Sequence, residues 1–390
     1  MFSSRTDWLL APNRLTRQLE ECRLRGLRVL DLTESNPTRC GFAADPEILA
    51  SLQDPQSLTY DPDPRGPLSA RQAVCEYYAA RGVPVRPEQV FLTASTSEAY
   101  TYIFRLLADP GDKVLIPQPS YPLFDFLAGI NDVEVVPYPL RYDREWRIDQ
   151  DAVGNRWEPR TRAMIVVHPN NPTGSFVRPG ELDFLTECCR RNRAALIADE
   201  VFADYAIETG ASRVVSHSAD STCLTFTLSG LSKISALPQM KLGWVVISGP
   251  KEESEIATDR TEVIADTYLS VSAPVSYALP ALLEHRKKVQ PAIMERLRSN
   301  LCWLDRAAPS CPVVSRLRTE GGWYAILKVS AAVSDEDWAV GLLAKQGVLV
   351  HPGHFYDFPA DGHLVISLLT LEEVFREGVE RILAHISKSS

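Results

Sequence analysis

Four short stretches bring residue types together in a way that suits chemistry on a bound ligand. Lys233 closes Thr227-Leu228-Ser229-Gly230-Leu231-Ser232-Lys233, an apolar run that ends in a turn of small residues. A lysine amine is a nucleophile only while neutral, a state that desolvation or a nearby cation can favour. Asp199 and Glu200 follow the apolar run Ala195-Leu196-Ile197-Ala198. A carboxylate delivered there needs a cation, a metal or water, because burying it unpaired is costly; a helix cap or a surface acid would also explain it. His168-Pro169-Asn170-Asn171-Pro172-Thr173-Gly174 is a proline-bounded turn after another apolar run, able to aim an Asn amide at a ligand. Ser95-Thr96-Ser97-Glu98 fits a helix start with Ser95 and Glu98 as a capping box. Its free N–H groups and hydroxyls suit a phosphate, although an ordinary N-cap has the same pattern.

These stretches need elements to hold them, and the hydrophobic pattern supplies a regular alternation. Helices are predicted over 70–81, 98–107 and 121–129, with strands at 90–92, 113–116 and 133–138. Further apolar runs at 162–167, 194–198, 224–227 and 244–248 read as strands buried on both faces, and 181–191 as a helix. The beat is that of an α/β domain with a mainly parallel sheet, which places chemistry at the carboxyl ends of its strands. From about Pro274 to Asp305 a long helix interrupted by prolines is expected. A smaller α+β module follows, with strands near 323–329, 348–351 and 364–368 and a final helix over 371–386. The expected division is an N-terminal segment, 1–45, joining the small domain, a large domain over 46–274, and a small C-terminal domain over 275–390.

Composition narrows the function. Of 390 residues 41 are Lys or Arg and 50 are Asp or Glu, a formal charge of −9 that argues against nucleic acid or an anionic membrane as partner. No apolar run approaches the roughly 18 residues of a membrane span, and Met1 to Pro12 lacks the pattern of a secretory signal. The eight cysteines show neither metal spacing nor a disulfide framework, as expected of reduced thiols in the cytoplasm. His351 and His354 flank Pro352-Gly353 without a further ligand cluster, so no metal site is expected.

Taken in order, Tyr60 and Gly66, Ser95-Thr96-Ser97, Pro119-Ser120-Tyr121, Asn171-Pro172-Thr173-Gly174, Asp199-Glu200-Val201-Phe202, Ser229-Gly230-Leu231-Ser232-Lys233 and Lys241-Leu242-Gly243-Trp244 resemble the class I/II aminotransferases. These are enzymes of fold type I that use pyridoxal 5′-phosphate. The resemblance implies a large domain with a mainly parallel seven-stranded sheet, and a ping-pong transfer of an amino group between an amino acid and a 2-oxo acid. It implies Lys233 as the Schiff-base lysine and proton carrier, Asp199 at the pyridine nitrogen, Asn171 at the phenolic oxygen and Tyr121 stacked on the ring. Ser95, Thr96, Ser97, Ser229 and Lys241 would hold the phosphate, and Tyr60 would reach the phosphate of the neighbouring subunit, which requires a homodimer.

The sequence departs from the family pattern at three places. Phe202 stands where a tyrosine is usual, and it cannot donate to the phenolic oxygen. Lys241 replaces an arginine, keeping the charge but losing the fork. Val365, in Val365-Ile366-Ser367, occupies the position of the arginine that clamps the substrate carboxylate. Arg39, with Ser35 in Thr33-Glu34-Ser35-Asn36-Pro37-Thr38-Arg39, is one candidate to bind substrate instead; a surface arginine in a loop is the other reading. Phe355 and Tyr356 are expected at the mouth of the site, with Trp323 and Tyr324 either beside them or packed in the core. A β-eliminating lyase or another α-carbon enzyme of the same fold would use the same lysine, aspartate and asparagine. A non-catalytic regulator that senses the cofactor would need a DNA-binding domain and a basic face.

Overall fold

The computed structural model describes residues 1–208, 212–219 and 222–389. Near-continuous apolar sequence produces strands covered on both faces: Val90–Thr93, Thr225–Gly230 and Gly243–Ser248 are buried throughout. Together with Ala195–Asp199, Thr161–Val167, Lys113–Gln118, Glu134–Asp143 and Glu145–Ile148 they make one eight-stranded sheet. Its order runs Val90–Thr93, Gly243–Ser248, Thr225–Gly230, Ala195–Asp199, Thr161–Val167, Lys113–Gln118, Glu134–Asp143, Glu145–Ile148. The pairings from Thr225–Gly230 through Glu134–Asp143 are parallel; Gly243–Ser248 is antiparallel to both its neighbours.

Seven of the eight strands are the expected ones. The eighth, Glu145–Ile148, is a short edge strand folded back antiparallel on Leu140–Asp143, with Arg144 at φ 61° in the turn. The 18-residue helix Lys251–Tyr268, which the sequence reading left out, buries only Ala257, Thr261 and Ala265, too thin a stripe to stand out as periodic. The expected single helix after Pro274 is two, Ala273–Glu284 and Arg286–Ala307, meeting at His285. Pro280 and Pro291 lie inside them, each without the N–H that a helix interior uses.

A second, antiparallel sheet joins Ser315–Leu317, Tyr324–Lys328, His363–Ser367 and His351–Pro352. The strand expected over 348–351 is split, because Val348–Leu349 pairs in parallel with Leu30–Asp31 while His351–Pro352 pairs with Val365 and Leu364. The largest apolar cluster joins Leu15 and Leu30 to Leu297, Ile326 and Phe375, and it extends to Phe202 and Trp323. The N-terminal segment thus packs with the C-terminal elements, and that core reaches the loop after Asp199.

Candidate active site

Parallel pairing sets the strand ends side by side: Asp199 lies opposite Val167 on one side and Leu228 on the other. Asn171 follows the first of these strands and Lys233 the last. Lys233, Asp199 and Asn171 all line one cavity of about 470 Å³ at this edge of the sheet. Asp199 accepts from the Tyr100 hydroxyl at 3.2 Å and the Val201 N–H at 3.1 Å. Burial pushes its pKa up to about 6 against those bonds and the positive charge of Lys233. Burial acts on Lys233 in the other direction, pushing it down to about 8, with Asp199 partly opposing.

Two aromatic rings frame the lysine. Its Nζ lies 4.8 Å from the ring centre of Trp323 and 5.3 Å from that of Phe202, which meet edge to face. The Tyr205 hydroxyl donates to the Lys233 carbonyl at 2.6 Å and so fixes the lysine's main chain. Glu200 points away into the core, where it accepts from the His217 N–H at 2.7 Å and the Ser216 hydroxyl at 2.8 Å. Although burial opposes its charge, His217 holds its pKa below the ordinary carboxylate range.

At the other end of the cavity the helix Thr96–Leu107 begins. Ser95 is its N-cap: its hydroxyl accepts from the Glu98 N–H at 3.1 Å, and Glu98 in turn accepts from the Ala94 N–H at 2.6 Å. With Ser95 occupied as a cap, the hydroxyl side chains that line this end are Thr96, Ser97 and Ser232. The turn that carries the lysine is pressed close to this helix start. A Cβ on Gly230 would come within 2.9 Å of the Gly243 Cα, and one on Gly243 within 3.3 Å of the Thr96 nitrogen.

Several expected site residues lie off the cavity lining. Ser229 is buried beneath it, its hydroxyl 3.5 Å from the Glu200 carbonyl. Lys241 is exposed two residues before Gly243, and Tyr60 is 81% exposed. Arg39 is drawn to Glu34 at 3.6 Å with its side chain 75% exposed, so it does not reach the cavity as expected of a substrate clamp. Ser35 does line it, as do Tyr121, Tyr324, His351, Phe355 and Tyr356. Sequence reading passed over Ser232 and Tyr100 as site residues. Ser232 was visible as the residue before the lysine, whereas nothing in the sequence marks a tyrosine one helical turn after Ser97 as a partner of Asp199.

Residues 29–382 match the sequence model of the family described as aminotransferase class I and II. The chain belongs to that family. This aminotransferase is 27% identical over 370 residues to glutamate-pyruvate aminotransferase AlaA of Escherichia coli K12, covering 92% of this chain and 90% of that protein. It is 29% identical over 374 residues to alanine aminotransferase of Mycobacterium tuberculosis H37Rv, covering 92% and 85%. Among solved structures, an Escherichia coli aminotransferase superposes with a TM-score of 0.87 at 25% identity over 99% of this chain and 98% of that one. Alanine aminotransferase from Pyrococcus furiosus superposes with a TM-score of 0.90 at 22% identity over 100% of both, a likeness of fold.

The aminotransferase fold and activity expected from the motifs thus hold for this chain, and with them its dependence on pyridoxal 5′-phosphate. The cavity also fits that cofactor on its own terms. Asn171 lines the cavity with a buried amide whose Oδ1 end has no hydrogen-bond partner among the described residues; turned so that its NH2 takes that place, the amide offers the donor that the cofactor's phenolic oxygen needs. The donor set suits the cofactor's parts, with an amine for its aldehyde, a buried acid for its ring nitrogen, and a helix start with three hydroxyls for its phosphate. Among the described residues no helix is long and apolar enough to cross a membrane, and no cluster of His, Cys, Asp or Glu could hold a metal.

Proposed function

We propose that this enzyme transfers the amino group of a small α-amino acid to a 2-oxo acid in the cytoplasm, with alanine and glutamate the first donors to test. The joint presence of Lys233, Asp199 and Asn171 in one cavity is the observation that carries this reading. The names of the relatives in Escherichia coli and Mycobacterium tuberculosis support the choice of donors.

Pyridoxal phosphate, when bound, supplies an aldehyde for covalent linkage to an amine and a ring that withdraws electrons from the substrate's reacting carbon. Lys233, neutral in part near physiological pH, provides the linking amine and afterwards carries the proton removed from the substrate carbon. Asp199 keeps the ring nitrogen protonated by pairing with it. Asn171 donates to the phenolic oxygen, alone at that position because Phe202 has no hydroxyl. Tyr121 covers the ring, and Thr96, Ser97 and Ser232 hold the phosphate.

The protein acts as a homodimer in which Tyr60 reaches the neighbouring site. Exposed apolar side chains on nearby segments support this: Leu58 is 91% exposed and Val263 69%, and an Arg65–Glu262 ion pair ties the two segments together.

The test is an absorbance spectrum of the purified holoenzyme before and after amino acids are added without any oxo acid. Transfer predicts loss of the lysine-linked cofactor band, recovery on adding pyruvate or 2-oxoglutarate, and no band in Lys233→Ala. Release of ammonia and a free oxo acid, without a second oxo acid and over many turnovers, would instead identify an eliminating enzyme.

A further inference from the structure

The family's carboxylate-binding arginine is absent, and the fold shows what stands around the vacated position. Val365 pairs with Ile326 on one side and with His351 on the other. Residues directly opposite in an antiparallel ladder share a face, as do residues two apart along one strand. Val365, His351 and Tyr324 therefore lie on one face of the small sheet. Val365 is fully buried and does not line the cavity, whereas His351 and Tyr324 do. Directly opposed Cβ atoms are about 5 Å apart, so the imidazole begins within one side chain's reach of the position the arginine would occupy.

The imidazole is also oriented. His351 Nδ1 lies 3.0 Å from the Tyr356 hydroxyl. With that hydroxyl donating, the ring proton sits on Nε2, which has no hydrogen bond among the described residues. Tyr324 stands alongside in the same lining, next to Ser35. Among the described residues that line the cavity there is no arginine, and its only lysine is Lys233.

We propose that His351 takes the place of the family's arginine, donating from Nε2 to the substrate carboxylate, with the Tyr324 hydroxyl as the second donor and Tyr356 holding the ring in place. The proposal rests on the aminotransfer reading above and names the group that recognises its substrate. It requires that the carboxylate, and not the amine or the side chain, feel the loss of His351.

The experiment titrates holoenzyme with each of the twenty protein amino acids and follows the cofactor absorbance. Every amino acid that reacts is then compared with the primary amine lacking only its carboxylate. His351→Ala is expected to raise the apparent dissociation constant of the amino acids on the order of ten-fold or more, with a smaller change in the limiting rate and none in the affinity for the amines. His351→Gln, which restores an N–H donor, should recover part of the loss. Tyr356→Phe keeps the packing and should show the same selective weakening in smaller measure, so a poorly folded His351 variant does not decide the matter. Equal weakening of amino acid and amine, or no weakening of either, overturns the proposal. So does a holoenzyme that reacts with none of the twenty. A protein that binds no cofactor, or one in which Lys233→Ala keeps the lysine-linked band, would overturn the aminotransfer reading instead.

Discussion

Burial costs Lys233 and Asp199 their charged forms, and each group pays in its own pH range. Lys233 is pushed down to about 8, so the attacking amine is half neutral there and not near 10.5. The rate at which cofactor-free protein takes up pyridoxal phosphate should rise with pH through about 8 and then level; stopped-flow absorbance against pH measures it, and a rise centred near 10 would contradict the burial argument. Asp199 is raised to about 6 from the 3.8 of an ordinary aspartate, so the folded state holds its proton more tightly than the unfolded one between those values. Its contribution to stability is then full below about 4 and lost as pH rises through about 6. Asp199→Asn stays neutral throughout, and the cofactor-free variant should be more stable than the native chain at pH 8 by about 1–3 kcal/mol. Thermal unfolding of both cofactor-free proteins checks this, and the same variant should lose nearly all aminotransfer. These residues were legible because each ends an apolar strand. Their surroundings were not: Trp323, Phe202 and Tyr205 come to Lys233 through tertiary packing that no local pattern announces.

At the level of elements, one cap positions the end of the cavity assigned to the phosphate. Ser95 spends its hydroxyl on the Glu98 N–H, so its value lies in starting the helix where Thr96 and Ser97 face the cavity. Ser95→Ala should cost about 1 kcal/mol of stability, read by denaturant unfolding, and loosen the cofactor by a small factor, whereas removing both Ser97 and Ser232 should weaken the cofactor strongly with little loss of fold. The strands of the large sheet were legible because burial on both faces leaves an unbroken apolar run. The edge strand Glu145–Ile148 was not, since its sequence alternates over only four residues and carries two charges. The split between Val348–Leu349 and His351–Pro352 was also hidden, because one apolar run serves two different partners.

Over the whole molecule, the proposed subunit pairing is what the exposed Tyr60, Leu58 and Val263 bear on most. Sedimentation equilibrium should give twice the chain mass, and mixing Tyr60→Ala with Lys233→Ala chains should form hybrid dimers with activity that differs from either parent. The order of the motifs was enough to read the fold class, yet the composition of the cavity's substrate end was not, because Ser35, Tyr121, Tyr324 and His351 meet there from four distant parts of the sequence. Leu30–Asp31 is anchored by Val348–Leu349, just before Ser35 enters the cavity. Growth of the chain on a ribosome is vectorial, and residue 35 emerges long before residue 348. The strands that present Asn171, Asp199 and Lys233 are all synthesised by Ser248, so the groups assigned to the cofactor leave the ribosome before Tyr324 and His351, and before the strand that tethers Ser35.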